Sequence, residues 1–277
     1  MARSQTNPAI LGQETDTIKN YQRKLNQREK KLAEAILYSE NIDDDFSSAL
    51  IISNSDNADG SVYTGAAGEE LGLHSGRAAY EIHQAAVATP AVVAPYQSAD
   101  GLELKPVAAA DALEITNGIT ANSRAAHVIG SLLATSDKEI YFKAKIKIDD
   151  ISDVTELAMG WRKAEAYQAA VDDYDEMAAF NIGADADGQI EIHTILNNAA
   201  TSETDTTESD WTDGDEKTLE IRIKNNGSCT FEIDGAAPTV SAAFTFDSGE
   251  VVVPFIFLDT ETGDPGVSIS EWKVGYR

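Results

Sequence analysis

A single cysteine, Cys229, in a chain of 277 residues excludes an intrachain disulfide. On the apolar side of an alternating hairpin, it reads as a small buried hydrophobe and not as a reactive thiol. No apolar run approaches the roughly 18 residues of a membrane-spanning helix, and the opening stretch MARSQTNPAILGQETD lacks the apolar centre of a secretion signal. A soluble protein, cytosolic at synthesis, is therefore expected, with no membrane partner. Aromatic residues make up 7% of the chain, too few for an extended stacking platform. Basic residues are also scarce, with 21 Lys and Arg against 47 Asp and Glu and a net charge of −26. The scarcity is uneven: residues 1–39 hold seven basic and four acidic groups, and the rest of the chain holds 14 and 43. So acidic a body repels phosphate backbones, which excludes nucleic acid as a partner.

Catalytic signatures are missing too. The chain has no Gly-x-Ser-x-Gly, no Gly-x-x-x-x-Gly-Lys-Ser/Thr and no Gly-x-Gly-x-x-Gly. No strand carries the alternating Glu-x-Asp-x-Glu or Glu-x-Asp-x-x-Glu array with which glycosidases flank a sugar bond. Glu220 with Glu232, and Glu191 alone, fall at outward positions and read as solvated sheet face. An enzyme is not expected. Among His74, His83, His127 and His193 there is no close pair and no His-Glu-x-x-His frame, so no zinc cage is visible. A calcium loop centred on Gly188 would put Asp185 and Asp187 at ligand positions, but Gly183 would stand first and Thr194 twelfth, where carboxylates are required. Gly60 fails in the same way, with Ser55 first and Ala66 last. These aspartates read as turn formers. A calcium site built from separate loops stays open, and no metal or cofactor is assigned.

What is present divides the chain into three regions. From about Thr15 to Tyr38 the sequence lacks Pro and Gly and is rich in Lys, Glu, Gln, Leu and Ala, which predicts one helix within an N-terminal segment, residues 1–40. Leu11, Ile18, Leu25 and Leu32 recur every seven residues, with Tyr21 and Ile36 beside them. This narrow apolar stripe needs cover from the protein's own body or from another chain. Association is the reading carried forward, with Lys19, Arg23, Lys24, Lys30 and Lys31 flanking the stripe as an assembly surface. Residues 41–100 read as an irregular linker or arm with short elements, among them a strand at 49–52 and a short helix near 78–87 ending before Pro90. Residues 41–136 as a whole could be early strands of the body or an arm on a neighbour.

Residues 101–277 form the third region, with short strands near 102–105 and 113–116. Beyond Lys138 a two-residue period dominates. "KEIYFKAKIKI", "LAMGW", "MAAFNIG", "QIEIHTIL", "KTLEIRIK", "CTFEIDG", "VVVPFIFL" and "VSISEWKVGY" all read as strands. Asp187-Gly188 and Asn226-Gly227 supply hairpin turns. Pro254, lacking a donor, is expected at a sheet edge or a bulge. The reading is mainly β, an antiparallel sandwich or jelly roll preceded by an N-terminal α-helix.

The order "WTDG", "TLEIRI", "NG", "FEIDG", "VVPFIFL" and a last strand bearing Trp272 and Tyr276 resembles the C-terminal half of concanavalin A-like (lectin/glucanase, laminin-G-like) jelly rolls. More narrowly it resembles such domains in structural proteins of tailed bacteriophages, where a short helical segment precedes the roll. The resemblance covers about Lys138 to Arg277 and rests on hairpin signals, not on catalytic motifs. It implies a virion structural protein, a capsid decoration (cement) protein on the outer surface of the shell, whose expected partners are the major capsid protein and copies of itself in a trimer. The alternative is a carbohydrate-binding adhesin of a phage tail or fibre. Its candidate glycan contacts are Trp161, Tyr167 and Tyr174, three rings close to acids in "GWRKAEAYQAAVDDYDEM".

Overall fold

A computed structural model describes residues 42–46, 51–53, 70–74, 79–85, 96–104, 112–117, 126–131, 138–183, 188–260 and 265–277. All of them belong to one compact unit, Ile42–Arg277. The predicted N-terminal helix and its assembly stripe lie outside the described residues, as does the Gly60 loop.

Within this unit the period-two segments become strands because one side of each can be buried. Glu139–Ile148 shows the pattern most simply, with Ile140, Phe142, Ala144, Ile146 and Ile148 inward and Tyr141, Lys143, Lys145 and Lys147 outward. In chain order the strands are β1 (Ile42–Asp44), β2 (Ile51–Ser53), β3 (Glu70–His74), β4 (Ala79–Ala85), β5 (Tyr96–Ser98), β6 (Gly101–Leu104), β7 (Ala112–Thr116) and β8 (His127–Val128). They continue as β9 (Glu139–Ile148), β10 (Val154–Lys163), β11 (Met177–Ile182), β12 (Ile190–Ile195), β13 (Ser202–Asp205), β14 (Glu216–Lys224), β15 (Cys229–Ile233), β16 (Val251–Thr260) and β17 (Val267–Tyr276).

Two antiparallel sheets result. One runs β15-β14-β9-β17-β6-β5, with β1 on the β6 side of β17, and the other runs β13-β12-β11-β10-β16-β7-β4-β3-β2, with β8 paired to β16. They stack as a sandwich whose main core lies between them and includes Phe142, Trp161, Phe180, Leu219, Ile221, Phe231 and Trp272. The Trp161 Nε1–H reaches across to donate to the Ile221 carbonyl at 3.2 Å, tying one sheet to the other. Cys229 packs against this core, and desolvation pushes its thiol well above the ordinary range.

Several expectations are corrected. The segment read as a short helix near 78–87 is strand β4, with Tyr80 and Ile82 buried; β3 and β7 flank it, and their ladders override its weak helical bias. Residues 41–100 contribute five strands to the two sheets, so the described parts of this region join the sandwich. Pro254 sits in a central strand. On its β7/β8 side, however, pairing stops at Phe255 and resumes at Val252, and its carbonyl accepts the Thr116 hydroxyl instead. The missing N–H falls in that gap. The Asn226-Gly227 turn forms as expected: Gly227 has φ +88°, and a Cβ there would collide with the Phe246 carbonyl.

On its solvent side the seven-stranded sheet neutralises itself. Lys143 pairs with Glu271, Lys145 with Glu216, and Lys147 with Asp100 and Asp149. Glu220, expected to be solvated, is buried between Arg222 and Arg277 at 2.8 and 2.7 Å, while Glu232 also bonds Arg222.

Two buried groups make stability depend on pH in opposite senses. His127 is 6% exposed, and its Nε2 has no partner. Burial lowers its pKa from 6.5 to about 4, so the stability it contributes is present above 6.5 and is lost as pH falls toward 4. Glu176 has no exposed surface and both its oxygens lack partners. Desolvation first, then the charges of Glu250 and Asp247, raise it from 4.5 to about 7, against the pull of Lys163. Its contribution is greatest below 4.5 and is lost as pH rises through 7. The two slopes oppose each other between 4.5 and 6.5. In urea titrations across this range, Glu176→Gln is expected to make stability rise more steeply with pH and His127→Gln to make it fall. An unchanged slope in both variants would contradict these assignments.

Candidate functional site

The outer face of the ten-stranded sheet differs from that of its partner. Register places Ala158 opposite Asn181, Asn181 opposite Glu191, Ala179 opposite His193, and His193 opposite Glu203. Directly opposed residues share a face, as do residues two apart, so Glu156, Asn181, Glu191, His193 and Glu203 all project outward from four adjacent strands.

At one end this face is covered. The connection from β10 to β11, residues 164–176, folds back over it and packs Tyr167, Val171 and Tyr174 against Ala158, Met177, Ala179, Ile195, Phe255 and Phe257 in a second apolar cluster. Beneath it lies a fully buried ion pair. Arg162 donates from Nε and Nη2 to the two oxygens of Glu114, at 3.0 and 2.6 Å, and from Nη1 to the carbonyls of Lys163 and Glu165. The Tyr174 hydroxyl donates to Glu114 at 2.5 Å, and its ring lies 4.6 Å from the guanidinium. Burial and the adjoining Glu114 carboxylate push the Tyr174 hydroxyl far above its usual pKa.

The three rings expected to contact a glycan are thereby accounted for otherwise. Trp161 lies between the sheets and Tyr174 lies under its own loop, both without exposed surface. Tyr167 is partly buried and stacks on His83 at 5.2 Å. They anchor the core and the loop: Trp161 and Tyr174 are out of a sugar's reach, and Tyr167 has one ring face against His83.

Beyond the covered end the face opens into a cleft of about 540 Å³ lined by Thr155, Glu156, Val171, Asp172, His193, Ala200, Thr201 and Glu203. A hydrogen-bonded chain links two of its lining residues, Glu156 and His193, to Asn181 and Glu191 beside them. Asn181 Nδ2 donates to Glu156 and lies 3.0 Å from His193 Nδ1, whose other nitrogen, Nε2, is 2.8 Å from Glu191 Oε2. Burial raises the Glu156 carboxyl pKa, with the Asn181 hydrogen bond opposing it. One oxygen each of Glu191 and Glu203 and one His193 nitrogen lie within 4.8 Å of one another. Glu191, expected to stand alone in solvent, is thus part of a convergent group. Its i, i+2 spacing with His193 was the one signal in the sequence. Glu156, Asn181 and Glu203 carry no local motif and are brought in by sheet register.

No family model matches the chain, and no curated protein matches its sequence. Solved structures with similar folds include the lectin UEA-II complexed with galactose, at 12% identity and a TM-score of 0.47, covering 86% of this chain and 98% of the lectin. An alginate lyase from Pseudomonas aeruginosa is similar at 12% identity and 0.43, covering 68% and 87% of the two chains. A carbohydrate-binding module from Bacillus subtilis is similar at 13% and 0.39, covering 64% and 90%. Likenesses this distant say nothing of the ligand.

Proposed function

We propose that this protein is a carbohydrate-binding module, with its glycan seated in the cleft on the outer face of the ten-stranded sheet. The observation that carries this reading is the cleft itself, about 540 Å³ with a rigid strand floor and polar walls. Carboxylates at Glu156, Asp172 and Glu203 accept from sugar hydroxyls, Thr155 and Thr201 both donate and accept, and Val171 and Ala200 offer apolar contact to the C–H face of a ring. A concentration of carboxylates favours neutral, hydroxyl-rich sugars over sulfated ones. With no exposed aromatic ring among the described lining residues, affinity is expected to be modest, in the high micromolar to millimolar range. Binding without turnover is expected.

A glycan array followed by calorimetry tests this. Glu203→Ala and Thr201→Val should each weaken binding of the selected neutral oligosaccharide by about tenfold, since each removes hydrogen bonds to the sugar. No binding to any glycan, or affinity indifferent to both changes, would overturn the reading; release of new reducing ends would show turnover instead.

A second reading rests on the heptad stripe from Leu11 to Ile36 and its basic flanks. On it the chain is a virion component, a decoration protein held on the outer capsid surface by contacts with the major capsid protein and its own copies. Absence of glycan binding, together with recovery in purified particles, would favour that alternative.

A further inference from the structure

Glu156, Glu191 and Glu203, in and beside the cleft, lack the compensation found on the other sheet. There, lysines and arginines meet the acids strand by strand. In the cleft, Glu156 bonds Asn181 and Glu191 bonds His193, while Glu203 faces His193 across the strand pair; among the described residues, no Lys or Arg pairs with any of the three. Convergent carboxylates with no positive partner repel one another, and a cation bound between them relieves that repulsion.

A second observation comes from Asn181. It is 1% exposed, yet its Oδ1 has no hydrogen-bond partner. It is the second polar atom of the amide whose Nδ2 donates to Glu156 and lies 3.0 Å from His193 Nδ1. Buried amide oxygens are rarely left without a donor or an ion.

We propose that Glu191, His193 and Glu203 bind a divalent transition-metal ion at the floor of the cleft. One imidazole nitrogen and two carboxylate oxygens form a mixed donor set that suits Zn²⁺ or Mn²⁺, whereas Ca²⁺ and Mg²⁺ favour oxygen alone. To bind the ion, His193 Nε2 and Glu191 Oε2, now 2.8 Å apart, exchange their mutual contact for metal bonds. With the ion on Nε2 the ring proton sits on Nδ1, and the Asn181 amide turns so that its Oδ1 accepts it, the orienting contact that ligating histidines usually have. Three protein ligands leave further coordination positions for water or for two hydroxyls of a bound sugar. This last role rests on the glycan reading above; the ion site does not.

Calorimetry on the chelator-treated, full-length chain with Zn²⁺ and with Mn²⁺ alone is the test. One site per chain is expected, weakened at least about tenfold by His193→Ala and by Glu203→Gln, with far-ultraviolet circular dichroism unchanged. Co²⁺ supplies a second readout, a visible absorption band that His193→Ala should alter. Failure of Zn²⁺ and Mn²⁺ to bind, binding indifferent to both variants, or a preference for Ca²⁺ would overturn the site. If the ion binds but no glycan does, only the glycan reading falls. If chelated and metal-loaded protein hold the glycan equally, the ion's part in sugar binding falls while the site stands.

Discussion

Arg162→Met alone is expected to lower the unfolding free energy by about 3–5 kcal/mol, because it strands the Glu114 carboxylate where no surface is exposed to solvent. The guanidinium satisfies both Glu114 oxygens and two carbonyls of the 164–176 connection, and no nearby solvent can replace these bonds. The double change Arg162→Met with Glu114→Leu removes both charges and should recover most of the loss. Complete recovery is not expected, since Tyr174 then lacks its acceptor and the Lys163 and Glu165 carbonyls lack their donor. Urea midpoints of the three proteins measure this. A single variant no worse than a surface change of about 0.5 kcal/mol would show that the pair is not buried as described. The effect also reaches function: Val171 and Asp172 of this connection line the cleft, so a loosened loop should weaken ligand binding as well.

The second large effect is expected at Trp161, which sequence reasoning offered to a sugar and the fold assigns to the core. Trp161→Ala should cost about 3–5 kcal/mol, the range for emptying a large aromatic site. It removes packing against Phe142 and His127 and leaves the Ile221 carbonyl without the donor that crosses between the sheets. Trp161→Phe keeps most of the ring contact, so its smaller cost, about 1–3 kcal/mol, reports mainly the lost hydrogen bond. Any Trp161→Ala protein that remains folded should bind glycan as before, in contrast to Glu203→Ala. A selective loss of binding at unchanged stability would return Trp161 to the ligand site.

The strands after Lys138 were legible because alternation of apolar and polar residues is a local property, visible in "KTLEIRIK" before any partner strand is known. Earlier strands were harder to read. β4 is seven residues long and only Tyr80 and Ile82 mark its described inner face, so its identity depends on β3 and β7 beside it. The binding candidates misled for a related reason. Aromatic residues near acids suggested exposure, yet Trp161 alternates in phase with Leu157 and Met159, which face the core.

By itself, the order of residues determined which side chains share a face: Leu219 with Ile221 and Ile223, and Glu191 with His193. It also determined where the chain turns, as at Asn226-Gly227. Only the tertiary structure decided which face water reaches. Arg162 and Glu191 both point away from the main core; one is sealed under a returning loop and the other opens on a cleft beside Glu203. A two-residue period specifies the side of a strand, whereas cover and convergence depend on neighbours distant along the chain, which no local pattern encodes.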